Sequence, residues 1–476
     1  MERTLPRATR QNDDGACWTC LNKNRECDGG LPGCGICAQR GVRCRGYAVR
    51  LQWPAGLAND TRHMRQRRTF TRSNCPDVAL PGTISALGLP AEESFFMQHY
   101  VQNIARIALA IDYNGNGYRS LLPMAMQEPA VLNAALAVAA SHHSRWQRKT
   151  DIVSRKYLRA ASKALRDRFT SPDRIHSQVT LASMLLLVSF EVFSGSSRWK
   201  GHYDGIRGWI RTRGDCSDLD PFLKTWVCLL DTQTALNLGQ PAMPELETWL
   251  DASVAPASEG ECVDALFGCS SRLPKLMWTA SQLYTMSKNN LLPAHELQTQ
   301  VNTLQSQIRS TALPEDSNPA VNISCQRTAS PFATVGMGHE ELRRRMVATA
   351  EIFRHASHIC VHRIMHRPEE ALPAEMQESL DGAQKLLTMV PDALGPGANL
   401  GWCLVVLGAE MDRTHEREYV RSRLDGLHLL GIHNTKNGQR ILDEVWAHRD
   451  RVVCGLAAPE RWQDTMQRIG QEQILV

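Results

Sequence analysis

From about Ala91 onward, apolar residues recur at steps of three and four. Phe95, Phe96, His99, Tyr100 and Ile104 form one run, and Leu121, Leu122, Leu132, Leu136 and Ala140 form the next. Leu158, Ala161, Leu165 and Phe169 continue the pattern, followed by Val179, Leu181, Leu185, Leu186 and Phe190. That spacing marks one face of an α-helix. Period-two alternation is nearly absent, and no hairpin dipeptide sits between apolar runs. The pattern predicts a mostly α chain: an all-α body of a dozen or more helices over 91–460, then a C-terminal tail, 461–476. Val49, Leu51 and Trp53 alternate instead, which predicts a short extended piece ended by Pro54. Residues 73–90 hold Pro76, Pro81, Gly82, Gly88 and Pro90 with little periodicity, so 54–90 reads as a basic, Pro/Gly-containing linker. Residues 1–12 read as a disordered N-terminus.

Two helical stretches carry further patterns. Leu297, Val301, Leu304 and Ile308 recur at four, three and four, which is only two heptads. Coiled coils need three or four, so the reading is a helix inside the domain rather than a dimer seam. His355, His358, His362 and His366 fall within about 80° on one helix, opposite Phe353, Ala356, Cys360 and Ile364. The expectation is a solvent-facing histidine stripe with no carboxylate interleaved, a polar face rather than a metal site.

Charge changes the picture at the other end. Residues 1–72 carry fourteen Arg or Lys against six Asp or Glu, a net +8, which leaves −3 for the rest of a +5 chain. A basic head on a slightly acidic body fits a nucleic-acid-binding module joined to something else. The N-terminal stretch MERTLPRATRQNDD is polar, with no apolar core of a signal peptide. The most apolar run, Met184 to Phe193, is short and carries Glu191, so no membrane span is expected. Fifteen cysteines in such a chain point to reduced thiols that bind metal, not to disulfides.

The six cysteines of the basic head hold the chemistry. Cys17, Cys20 and Cys27 give C-x2-C-x6-C, and Cys34, Cys37 and Cys44 repeat it. A two-residue gap lets both thiolates of a pair reach one ion, the usual construction of structural zinc sites. Two tetrahedral ions need eight ligand positions, and six sulfurs fill eight only if two of them bridge. One four-cysteine zinc with two spare thiols is the alternative, against which the duplicated spacing argues.

The stretch ACWTCLNKNRECDGGLPGCGICAQRGVRC, with Asp28 after the third cysteine and Pro32 two before the fourth, resembles the fungal zinc binuclear cluster of transcription regulators. The resemblance implies a Zn2Cys6 DNA-binding domain over 13–53 with two Zn²⁺, bridged by Cys17 and Cys34. Each half is expected to open into a short helix just after its second cysteine. The first helix would enter the major groove of double-stranded DNA, with Lys23 and its neighbour Asn24 at the guanines of a CGG-like triplet. Arg25, Arg43 and Arg45 would offset the net −2 of two zincs and six thiolates and meet phosphate. The resemblance also implies a nuclear location, and pairing on DNA as a homodimer or with a partner protein. No heptad follows the cluster, so the dimerising coiled coil of some relatives is not expected. GYAVRLQWP, after the cluster, is similar to the tail of many members. The run RHMRQRRTFTR reads as nuclear import, phosphate contact or solvated linker.

Three stretches of the body resemble the fungal-specific transcription factor domain: LLPMAMQEPAVLNAALAVAASHHS, TLASMLLLVSFEVFSGSSRWKGHYDGIRGWI and ILDEVWAHRD. That implies a regulatory domain in contact with transcription machinery, with Glu191, Trp199 and His202 as packing and capping residues. The chain departs from the cluster family at Leu21 and Glu26, where Arg and Lys are usual, and both changes remove positive charge. They motivate the rival reading, a zinc-dependent protein-interaction or adaptor module that has lost DNA binding. No P-loop, G-x-G-x-x-G, G-x-S-x-G or H-E-x-x-H is present, so no enzyme is expected.

Overall fold

Helices form where the three- and four-residue apolar spacing runs. The computed structural model describes residues 17, 19–20, 23, 25–28, 34–42, 44, 88–113, 116–253, 262–323, 326–328, 338–392 and 395–473. The expected disordered terminus 1–12, the extended piece Val49 to Pro54, the basic run 62–72 and most of the linker lie outside these residues. The chain divides into two units, 1–81 and 82–476. The first contains α1, Gly35–Gln39.

In the second unit, α2 (Ala91–His99) runs straight into a π-helical turn, Tyr100–Ile104. Helix α3, Pro129–Trp146, starts after an extended Glu128, with proline in its first turn where no N–H partner is needed. Ala130, Ala134, Ala135, Ala137, Ala139 and Ala140 are buried along it. These small side chains let α4 (Ser154–Phe169) and α5 (Gln178–Ser194) pack closely against it. Next come α6 (Trp199–Arg213) and α7 (Pro221–Leu238), the latter capped by Asp220, whose Oδ1 accepts the Phe222 N–H at 2.8 Å. Helices α8 (Leu273–Lys288), α9 (Ala294–Arg309), α11 (Ala374–Met389) and α12 (Gly401–Gly408) surround the long α10, His339–Met365. Helices α13 (Thr414–Leu429) and α14 (Thr435–Val453) cover α12. The stretch beyond 460 holds α15, Trp462–Arg468, and Gln473 is buried.

The body is predominantly helical, as expected, and carries few strands. A small sheet joins β1 (Cys262–Asp264), β2 (Ala320–Ile323) and β3 (Gln326–Thr328). Strands β1 and β2 are parallel, pairing Val263 with Val321, and β2 and β3 are antiparallel, pairing Asn322 with Arg327. All three β1 residues are buried, so there is no alternation to detect. Phe95, in the middle of α2, and Phe169, at the end of α4, both expected on buried faces, are 37% and 43% exposed. Leu297, Val301, Leu304 and Ile308 are all buried on α9, inside the domain as expected. Among the described residues no helix is long and apolar enough to cross a membrane.

Polar groups fix how the bundle closes. The Leu430 carbonyl can only accept, so His142 Nε2 donates to it at 2.9 Å. His142 Nδ1 therefore accepts from His99 Nε2 at 2.8 Å, and His99 Nδ1 accepts from Asn103 Nδ2 at 3.1 Å. Gly431 sits beside this chain at φ +91, where a Cβ would lie 2.5 Å from His142 Nε2. Gly431→Ala should destabilise the body by about 2–4 kcal/mol, from left-handed strain plus displacement of His142. A thermal melt followed by circular dichroism checks this, and an unchanged midpoint refutes it.

Candidate metal centre

Among the described residues of the small unit, the buried ones are Cys17, Cys20, Cys34 and Cys37, at most 2% exposed, and Thr19, with Cys27, Ile36, Val42 and Cys44 packed half-buried around the cysteines. The six sulfurs fall into two groups of four, Cys17/Cys20/Cys27/Cys34 and Cys17/Cys34/Cys37/Cys44. Within each group all sulfurs lie within 4.8 Å of one another, and Cys17 and Cys34 belong to both. Three sulfur contacts are close: Cys17 to Cys37 at 3.7 Å and Cys20 to Cys34 at 3.6 Å, each within one tetrad, and Cys20 to Cys37 at 3.9 Å, between the two. A tetrahedral zinc with bonds of 2.3 Å separates its sulfurs by about 3.8 Å, so the donor set fits zinc.

Backbone hydrogen bonds repeat with the sequence. The Cys20 N–H donates to Cys17 Sγ at 3.4 Å, and the Cys37 N–H to Cys34 Sγ at 3.3 Å. The Cys17 N–H donates to Cys27 Sγ at 3.2 Å, and the Cys34 N–H to Cys44 Sγ at 3.4 Å. Each half thus presents amide donors to sulfurs that must carry negative charge to bind metal. Without a cation the arrangement is costly: burial pushes the Cys17 and Cys20 thiols above their usual range and Cys34 to about 12.

The local helices differ from expectation. Helix α1 begins right after the first cysteine of its pair, not after the second: Cys34 is its N-cap, and Cys37 lies inside it. The Cys34 sulfur supplies the capping acceptor, so the helix can start there. In the first half Thr19 and Cys20 are already helical, and the Lys23 and Arg25 N–H groups both close onto the Cys20 carbonyl, at 3.1 and 3.0 Å. Asp28 has a role that sequence reasoning missed. Its Oδ1 accepts the Gly35 N–H at 3.0 Å, joining the first loop to the start of α1. A Cβ at Gly35 would lie 2.5 Å from Asp28 Oδ2.

Lys23, Arg25 and Arg40 are exposed, and so is Glu26, just before the third cysteine. Asn24, Arg43, Arg45, Leu21 and Pro32 lie outside the described residues.

The histidine stripe of α10 is not solvent-facing. His358 and His362 are 1% and 6% exposed, because α11 packs over that face. His358 Nδ1 meets Ser379 Oγ at 3.0 Å, and His362 stacks on His366 with centroids 4.1 Å apart. A carboxylate does reach the stripe: Glu370 lies 3.0 Å from His366. Periodicity located the stripe, but the covering helix comes from later in the chain. Glu191 is buried with His202 Nε2 3.8 Å away, and the Trp199 indole donates to the Glu472 carbonyl at 3.0 Å, consistent with packing roles. Of the cysteines outside the cluster, Cys216, Cys228, Cys262, Cys269 and Cys403 are buried, while Cys454 is exposed.

Comparison with known proteins agrees with this arrangement. Residues 15–54 match the fungal Zn(2)-Cys(6) binuclear cluster domain, and residues 94–476 match the fungal specific transcription factor domain. Pestheic acid cluster transcriptional regulator 3 of Pestalotiopsis fici is 22% identical over 263 residues, covering 40% of this chain and 47% of that protein. Transcription factors phomR and phomR' of Diaporthe leptostromiformis are each 40% identical over 50 residues, 10% of this chain and 8% of theirs. The matches thus span less than half of these relatives. No solved structure matches. A cysteine cluster followed by a helical body that matches over most of its length makes this chain a member of the fungal specific transcription factor family, with an N-terminal binuclear-cluster domain.

Proposed function

We propose that the chain is a nuclear, sequence-specific DNA-binding regulator whose cluster holds two zinc ions, with Cys17 and Cys34 bridging them. The observation that carries this reading is the pair of sulfur tetrads with two shared members. Zinc here supplies folding free energy and no reaction, since the cluster of buried residues described in this unit is made of the cysteines. The scaffold presents the turn after Cys20, where Lys23 is exposed and its ammonium can donate to guanine O6 and N7 of a CGG-like triplet. Arg25 supports it, and Asn24, Arg43 and Arg45 are assigned DNA contacts from their places in the sequence motif. One module makes few contacts, so useful affinity comes from paired half-sites bound by two chains or by a partner protein. The relative named for the pestheic acid cluster supports regulation of a metabolite gene cluster, with the helical body controlling activity through the transcription machinery.

Glu26 is exposed close to Lys23, which favours a second reading, a zinc-held adaptor without DNA affinity. Lys23→Ala separates the two. It should weaken binding to a CGG-containing duplex by about 1–3 kcal/mol, roughly ten- to hundredfold, while zinc content stays constant. Fluorescence anisotropy reads the difference. Equal retention of wild type and variant would favour the adaptor.

A further inference from the structure

We propose that the exposed basic face of α4 is a second phosphate-binding surface, which takes the backbone of duplex DNA already held by the cluster. It rests on the DNA-binding reading above and adds a contact from the body to it. Residues 145–169 carry nine Arg or Lys against two Asp, a net +7 inside a body that sums to −3. That concentration rivals the +8 of the N-terminal head and runs from the last turn of α3 through the connection to the end of α4.

Arg155, Arg159, Lys163 and Arg166 fall within about 80° around the α4 axis, and all four are exposed. Among the described residues none of the four makes an ion pair. Their neighbours off the stripe do: Lys156 with Glu92 at 2.5 Å, Arg168 with Glu128 at 2.8 Å and Arg145 with Asp151 at 3.7 Å. The opposite side of the helix is anchored by buried Tyr157, Ala161 and Leu165 against α3, so the stripe is held on a fixed support. Spacings of three and four place like charges next to one another, which weakens a helix unless an opposite charge covers them.

The stripe spans about 16 Å along the axis. One DNA strand offers a phosphate every 3.4 Å of rise, so about four phosphates face it. Docking an acidic peptide would call for an apolar anchor within the surface. The exposed apolar side chains nearby in the sequence, Ile152, Val153 and Phe169, lie beyond the two ends of the stripe. Reach is sufficient: the 46 residues between Cys44 and Ala91 span up to roughly 160 Å when extended.

The test uses the zinc-loaded full chain and a variant with Arg155→Gln, Arg159→Gln, Lys163→Gln and Arg166→Gln. Binding is measured across a salt series on a duplex of about 14 base pairs, only the cluster's site, and on one of about 40. On the long duplex the plot of log affinity against log salt should be shallower for the variant by about 3 to 4. The short duplex should not distinguish them, and a threefold charge-preserving variant, with Arg replaced by Lys at 155, 159 and 166, should keep the wild-type slope. Coincident slopes on the long duplex overturn the proposal, as when the stripe serves an acidic protein segment, and leave the cluster's function intact. A wild type that binds neither duplex overturns both.

Discussion

Replacing Cys34 with alanine should strip the chain of both zinc ions, whereas replacing Cys44 should remove no more than one. Cys34 Sγ belongs to both sulfur tetrads, and Cys44 Sγ to one. Structural zinc contributes on the order of 10–16 kcal/mol to folding a module of this kind. The described core of this unit is sulfur, so nothing of similar size remains once the ions leave. The Cys34 variant also loses the cap of α1, the sulfur that accepts the Cys37 N–H. Native mass spectrometry counts the ions, and circular dichroism follows the fold. DNA retention should fall to background for Cys34→Ala and for wild type treated with a strong chelator. Identical metal counts in the two variants would sink the shared-ligand assignment.

Acidification should unfold the helical body well above the pH at which surface carboxylates titrate. Four imidazoles are buried and held neutral. Burial lowers His99 to about 2, aided by His142 and His143, and lowers His142 to about 4 against the pull of the Leu430 carbonyl. Burial likewise brings His358 and His362 to about 4, the first beside Glu375, Arg309 and Arg354, the second beside His366, Arg363 and Glu370. The unfolded chain protonates these groups below about 6.5. Stability is therefore complete above that value and falls by about 1.4 kcal/mol per pH unit per group as pH drops, until each folded value is reached. At pH 5 the four together cost roughly 5–8 kcal/mol.

Three buried carboxyls act in the opposite sense. Burial raises Asp264 to about 6 and raises Asp231 and Asp392, and each takes up protons more readily folded than unfolded. Asp264 returns about 1.4 kcal/mol at pH 5, too little to offset the histidines in a domain stable by about 5–15 kcal/mol. The melting midpoint should fall on the order of 10 °C between pH 7.5 and pH 5. His358→Asn removes one titrating group while keeping a polar partner for Ser379, so its slope should be flatter by one proton. Equal unfolding free energies at the two pH values would refute this account.

Sequence by itself determined the elements whose signals are local. The duplicated C-x2-C-x6-C spacing marks the metal-binding segment, because covalent spacing decides which thiolates of a pair can reach one ion. The three- and four-residue periodicity marks most helices of the body, because a helix that buries one face must repeat at its own pitch. Only tertiary structure decided features that depend on distant partners. Asp28 closes onto Gly35 across a loop, and Cys34 turns out to cap its own helix. The α10 histidines have the spacing of an exposed polar face, yet α11 covers His358 and supplies Ser379. His142 finds its acceptor 288 residues away, at Leu430. Periodicity reports which residues share a face; whether a polar face meets water or a satisfied partner is set by what packs across it.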